Sequence, residues 1–241
     1  MPGRTLEATL EGRMIERTSR RGKYLIWNLD GSENLVMHLR MTGTLLYDPF
    51  PEPRHGRVEF NLDDGHSLWF SDPRRFGTGI LVHDDHMDDY FRARLGLEPF
   101  DPEFDGEHLF QLTRGRNSPL KSFLLDQRRI AGIGNIYADE ALFRAQLSPL
   151  KRPSTLTRVQ AAALRDAIVD ALSAGIDAGG ATIDDFRDPD GAWGAYQSEF
   201  LVHRREARPC PNCACPIVRI VVGGRSTYHC PDCQPVPRRR R

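Results

Sequence analysis

Five cysteines fall within 24 residues near the end of the chain: Cys210, Cys213, Cys215, Cys230 and Cys233. Cys210-x2-Cys213 and Cys230-x2-Cys233 enclose sixteen residues, a spacing that suits one zinc ion held by four thiolates. Four thiolates complete a tetrahedron and leave no position open for water, so the chemistry expected is structural rather than catalytic. Between the pairs, Ile217 to Val222, Gly223-Gly224 and Arg225 to Tyr228 have the pattern of a β-hairpin, too small to fold without its metal. Cys215 is spare and is read as standing at a glycine-like turn position. Arg225, at the hairpin tip, could press a guanidinium against a phosphate. A zinc hairpin by itself does not choose among ribosomal, transcriptional and repair roles.

A second constellation is Ala131-Gly132-Ile133-Gly134-Asn135, a glycine-rich turn that opens a helix. Unsatisfied N–H groups at a helix N-terminus attract phosphate, and glycines let a backbone come close. Asn135 can cap that helix, hydrogen-bond a phosphate oxygen, or both. Turns of this kind also occur as plain packing.

The elements that must position these residues change character along the chain. Lys23–Leu29, Asn34–Leu39 and Arg57–Leu62 read as strands, and Asp64-Gly65 supplies a hairpin turn before Ser67–Phe70. The proline-containing acidic stretch Gly96 to Asp105 reads as a linker. Beyond it the period becomes helical, around Pro119–Gln127 and Ile136–Ala145. A longer helix places Leu164, Ile168, Leu172 and Ile176 on one stripe, opened by Thr157 and closed by Gly179-Gly180. The fold class expected is α+β. A β-sandwich domain spans 1–97, a helical domain 98–195, the four-cysteine finger 196–236, and a basic tail 237–241.

The formal net charge is zero, from 33 basic and 33 acidic residues. From Leu201 to Arg241, however, nine basic residues face two acidic ones, and Asp84 to Glu107 holds nine acidic residues against two arginines. A neutral chain binds a polyanion when its positive groups gather on one face. No apolar run approaches the roughly 18 residues of a membrane span. The first residues carry charges where a signal peptide is apolar, so a cytoplasmic protein is expected.

Several motifs occur together in a fixed order: Arg20–Leu25, His38-Leu39-Arg40-Met41-Thr42-Gly43, Asp72-Pro73-Arg74-Arg75-Phe76-Gly77, Gly132-Ile133-Gly134-Asn135-Ile136-Tyr137-Ala138, Tyr196-Gln197 and Cys230-Pro231-Asp232-Cys233-Gln234. With them the chain resembles, over essentially its whole length, the bacterial formamidopyrimidine-DNA glycosylases. The resemblance implies a β-sandwich, a helix-two-turn-helix domain and a zinc finger, with damaged or abasic duplex DNA in the cleft between the halves. It implies a monomer associated with the bacterial nucleoid. Lys23, Asn135 and Arg225 would grip phosphates around an extruded nucleotide. Met41, Arg74 and Phe76 would fill the void it leaves, offsetting an unstacking cost of a few kcal/mol. His55 and Arg116 match DNA-contacting positions, and Lys121 adds positive charge nearby. The Arg-Arg-Phe-Gly loop resembles the oxidised-purine branch rather than endonuclease VIII.

In that family an N-terminal proline amine attacks C1′ of the damaged nucleoside and the next residue, a glutamate, protonates it. β- and δ-elimination then cut the strand. Lys23 and Arg225 match positions with proton-donor roles in those steps. Here Met1-Pro2 is followed by Gly3, and Thr5 to Arg21 matches a stretch well inside the family's first domain. Pro2 is therefore given no catalytic role, and this stretch of chain by itself is expected to bind lesions weakly without cutting. A glycosylase with AP-lyase activity acting on 8-oxoguanine and formamidopyrimidines, and a non-catalytic damaged-DNA binder, both remain open. An RNA-binding zinc ribbon would explain the cysteines but not the Arg74 to Gly77 loop.

Overall fold

The computed structural model describes residues 6–48, 54–183 and 187–236. Met1-Pro2-Gly3 and the basic tail 237–241 lie outside the described residues. The chain forms two compact units, Met1–Arg94 with Gly179–Ala195, and Leu95–Ala178 with Tyr196–Arg241.

The first unit begins with a short helix α1 (Leu6–Leu10) and continues in seven strands: β1 (Ile15–Arg21), β2 (Tyr24–Leu29), β3 (Glu33–His38), β4 (Thr44–Tyr47), β5 (Gly56–Asn61), β6 (Ser67–Ser71) and β7 (Thr78–His83). They make an antiparallel sheet of order β1-β2-β3-β7 and a second of order β4-β6-β5. Trp27, Leu29, Leu35 and Met37 from the first sheet pack with Leu45, Phe60 and Leu68 from the second, so the sheets share one core. The Trp27 and Phe60 rings meet edge to face at 4.8 Å. The Asp64-Gly65 turn closes as expected, with Gly65 at φ 87° and the Leu62 N–H donating to the His66 carbonyl. Helix α2 (Asp84–Arg92) follows β7. The chain comes back to this unit at 179–195, where the Tyr47 N–H donates to the Pro189 carbonyl.

The second unit is helical: α3 (Gly106–Thr113), α4 (Leu120–Leu124), α5 (Asn135–Arg144) and α6 (Arg158–Asp177), followed by the hairpin β8 (Val218–Val222) and β9 (Arg225–His229). Its core collects Phe104, Leu109, Phe123, Ile133, Leu142 and Leu164 among others. A smaller core of Phe143, Val202, Cys210, Ile217 and Cys230 seats the hairpin on α5. No helix among the described residues is long and apolar enough to cross a membrane.

Three expectations are corrected. Gly96–Asp105 is not a free linker: Phe104 is wholly buried, the Gly96 N–H donates to the Gln127 carbonyl, and Leu97 bridges to Ile130. The stripe of α6 does hold Leu164 and Ile168, but Ile176 is 65% exposed. An i, i+4 row drifts about 40° per step, which carries Ile176 about 120° from Leu164. The buried face instead follows Ala161, Leu164, Ile168, Ala171 and Gly175 in alternating steps of three and four, with Ala167 beside it. Thr157 opens this helix with a full capping box to Gln160. In the zinc knuckle the left-handed residue is Ala214 (φ 61°), so Cys215 does not occupy the turn position assigned to it.

Candidate nucleic-acid interface and metal centre

In the β unit, two loops present the side chains. The first leaves β3 and carries Met41; the second leaves β6 and carries Arg74 and Phe76. Both bend through a non-glycine residue in the left-handed region, Arg40 (φ 60°) and Arg75 (φ 58°). Such a conformation costs of order 1 kcal/mol and persists only where surroundings impose it. Asp72 supplies much of that imposition. Its carboxylate, wholly buried, accepts from Thr42 Oγ1 at 2.6 Å, Gly77 N at 2.8 Å and Arg74 N at 3.2 Å. Burial alone would push the Asp72 carboxyl up, but the hydrogen bonds from Thr42, Gly77, Arg74 and Phe76 outweigh it and hold it below the usual range. Thr42 belongs to the first loop and Gly77 to the second, so one carboxylate ties both.

The two loops also share a wall. A Cβ on Gly43 or on Gly77 would collide with the Phe70 ring, which explains a glycine at the end of each motif. On this base Met41 and Phe76 stand 64% and 52% exposed. The Arg74 guanidinium lies 4.7 Å above the Phe76 ring centre and 3.8 Å from Met41 Sδ. The void-filling trio expected from the sequence is therefore one cluster. Exposing two large apolar side chains with an arginine between them leaves apolar surface in water, which folding alone does not favour.

Lys23 is exposed in the β1–β2 turn and His55 is half-buried, its carbonyl accepting the Asp72 N–H. His38 was quoted within a motif but given no role. Its Nδ1 accepts the Arg40 N–H at 2.9 Å, which places the ring proton on Nε2 and anchors the loop just before Met41. Burial, then the charges of Arg40 and Lys23, lower its pKa to about 4, so the ring stays a neutral acceptor.

In the helical unit the glycine turn sits over a polar brace: Gly132 N donates to Gln127 Oε1, and Gln127 Nε2 donates to the Ile133 carbonyl, both at 3.0 Å. Gly134, not Asn135, occupies the cap of α5, and no side chain caps the first turn. Asn135 turns its Nδ2 to the Ser226 carbonyl at 3.0 Å, while its buried Oδ1 has no hydrogen-bond partner. Arg116 and Arg225 are exposed.

Lys121 is the clearest departure from expectation. Its side chain is wholly buried. Nζ lies 2.7 Å from Asp139 Oδ1, 2.8 Å from the Ser226 carbonyl and 2.9 Å from Thr227 Oγ1. An ammonium has three donors. Two hydrogen bonds and an ion pair to Asp139 engage it here, and an ammonium so buried does not reach a phosphate at the surface.

The ligand atoms of Cys210, Cys213, Cys230 and Cys233 all lie within 4.8 Å of one another. The Cys210–Cys233 sulfurs are 3.8 Å apart and the Cys213–Cys230 sulfurs 3.4 Å. Sulfurs about 2.3 Å from one zinc sit about 3.8 Å apart at tetrahedral angles, so the set fits that ion. Cys215 stands outside the four.

Two family models match the chain: the formamidopyrimidine-DNA glycosylase N-terminal domain over residues 1–79, and the H2TH domain of the same glycosylases over 95–187. A formamidopyrimidine-DNA glycosylase of Pelotomaculum thermopropionicum is 46% identical over 231 residues, 95% of this chain and 84% of that protein. The chain belongs to the formamidopyrimidine-DNA glycosylase family. Solved glycosylases of the family superpose throughout. The Lactococcus lactis protein, in complex with DNA containing Fapy-dG, has a TM-score of 0.88 at 34% identity, covering 96% of this chain and 86% of that one. A MutM in complex with DNA containing carbocyclic 8-oxo-G has a TM-score of 0.89 at 33% identity, covering 96% and 85%. The fold of this glycosylase-family chain is thus one shared with relatives solved in complex with DNA.

Proposed function

We propose that this protein is a DNA repair glycosylase with AP-lyase activity that excises oxidised purines, 8-oxoguanine and formamidopyrimidines, from duplex DNA. The observation that carries the reading is the exposed Met41–Arg74–Phe76 cluster, held over one buried carboxylate. A flipped nucleotide leaves a gap in the stack, and an apolar wedge beside a guanidinium offsets the unstacking while facing the orphaned base. Arg74 can offer that base two parallel donors, which lysine could not.

Lys23, His55, Arg116, Asn135 and Arg225 are assigned to the phosphates, which fix register without reading sequence. In the elimination steps Lys23 and Arg225 are assigned as proton donors, each beside the phosphate it grips. The four-cysteine zinc only holds the hairpin. The setting that suits this activity is a monomer working on the bacterial nucleoid in the cytoplasm.

The test is a duplex carrying one 8-oxoguanine opposite cytosine. Base release with strand cutting is expected where the family's N-terminal proline and glutamate precede these residues, and weak lesion binding without cutting from this stretch alone; borohydride should trap a covalent adduct whose mapped site names the attacking amine. Absence of both base release and any preference for the lesion duplex would reject the reading.

A further inference from the structure

We propose that the buried Lys121–Asp139 pair is a positioning device for the zinc hairpin, setting where Arg225 and Asn135 stand rather than touching DNA or metal itself. The inference rests on the reading above of Arg225 and Asn135 as phosphate contacts.

The geometry is specific. Lys121 comes from the first turns of α4 and Asp139 from the second turn of α5, and both side chains are essentially inaccessible. Their bonds converge on three successive residues of β9. Lys121 Nζ donates to the Ser226 carbonyl at 2.8 Å and to Thr227 Oγ1 at 2.9 Å. Asp139 Oδ2 accepts the Tyr228 N–H at 3.3 Å and the His203 Nδ1–H at 2.8 Å. Asn135 Nδ2 donates to the same Ser226 carbonyl at 3.0 Å. Residues 226 to 228 immediately follow Arg225, so the strand that carries the exposed guanidinium is held against α4 and α5 from its second residue onward.

Stability alone does not account for this arrangement. A buried ion pair roughly breaks even against apolar side chains of the same volume, because both charges must leave water. What the pair adds over an apolar contact is direction: three hydrogen bonds of defined length reach β9 from it, at the Ser226 carbonyl, Thr227 Oγ1 and the Tyr228 N–H, and fix both the register and the rotation of the strand, which dispersion contacts would leave looser. The Ser226 carbonyl is the shared node. It receives Asn135 and Lys121 together, so a shift of Lys121 moves both proposed phosphate contacts at once. Burial pushes the Lys121 ammonium down from its ordinary value, Asp139 pushes it back up, and the charge of Arg225 also reaches it. Arg225 is thus close enough to be felt across the strand.

The experiment is a double-mutant cycle on the zinc-loaded full chain, reading affinity for plain and lesion duplex and the slope of log affinity against log salt. Arg225→Ala should weaken both duplexes about tenfold and make the slope shallower by about one. Lys121→Met should do the same while zinc stays at one per chain. Lys121→Met added to a chain carrying both Arg225→Ala and Asn135→Ala should weaken it no further, because misplaced contacts and absent ones are equivalent. Since Lys121→Met leaves a buried carboxylate unpaired, the neutral pair Lys121→Gln/Asp139→Asn serves as the second variant, with the same expectation. Multiplicative losses in the combined variant overturn the proposal, as a merely structural role would give them. Loss of zinc in both Lys121 variants overturns it as well, since the pair would then be a folding requirement. If Arg225→Ala leaves affinity unchanged, the positioning falls with the role of Arg225, while lesion excision, measured separately, still decides the proposed function.

Discussion

The Asp72 loops and the zinc hairpin present side chains to the same kind of ligand, yet they are held by different means. The hairpin is fixed by a metal site and by buried charges, with Lys121 and Asp139 gripping β9. The loops have no metal site and no buried ion pair. One carboxylate, one aromatic ring and two left-handed arginines hold Met41, Arg74 and Phe76 in place. The difference follows the tasks proposed for them. A guanidinium aimed at a phosphate must sit at a set distance, and rigid coordination provides that. A wedge entering a base stack must adapt to it, and loops on backbone hydrogen bonds can yield slightly without unfolding.

The largest effect separating the two regions should come from metal removal. Structural zinc sites contribute about 10 kcal/mol or more of folding free energy in small modules. Chelation, or Cys213→Ser, should unfold the hairpin and abolish duplex affinity while the β unit keeps its unfolding transition. Cys215→Ser should leave zinc at one per chain. Metal analysis and circular dichroism check both. A Cys215→Ser chain without zinc would show that the sulfur set is misassigned.

Next in size is Asp72. Removing the carboxylate in Asp72→Ala leaves the Gly77 and Arg74 N–H groups and the Thr42 hydroxyl without their acceptor, a loss of about 3 kcal/mol or more. Preference for lesion over plain duplex should disappear with zinc content intact. Phe76→Ala and Arg74→Ala should erode that preference at nearly unchanged stability, since both side chains are exposed. Titrations on the two duplexes with thermal unfolding separate these cases. If Asp72→Ala kept full lesion preference, the loops would not depend on that carboxylate.

The smallest effect concerns pH. His38 titrates near 4 in the folded chain against 6.5 when unfolded, so between these values the unfolded state binds more protons. Its contribution is full above pH 6.5 and declines as pH falls towards 4. The depressed Asp72 carboxyl follows a lower window, present above the ordinary carboxylate range and lost below it. His38→Gln should flatten the upper window only. An NMR titration of the His38 ring showing a midpoint near 6.5 would remove the acceptor role for Nδ1.

How much was legible from the chain depended on whether chemistry and spacing coincide in one segment. The thiolates lie in two short knuckles with two residues between the cysteines of each, so the zinc site could be read directly. So could the Thr157 cap, the Asp64-Gly65 turn and the order of motifs that marks the family, because each is written within a few neighbouring residues. Lys121 was not legible. A lysine in the first turn of a short helix reads as surface charge, and only the fold shows acceptors from residues 18 and more than 100 positions later closing over its ammonium. Asn135 likewise looked like a helix cap, until Ser226 was found to claim its amide. The drift that exposes Ile176 came from extending a four-residue step down a helix whose buried face needs steps of three and four. Sequence determined the family, the metal and the local turns, since covalent proximity sets those. Tertiary structure decided which charges face solvent, because burying an ion depends on partners that converge only when distant segments fold together.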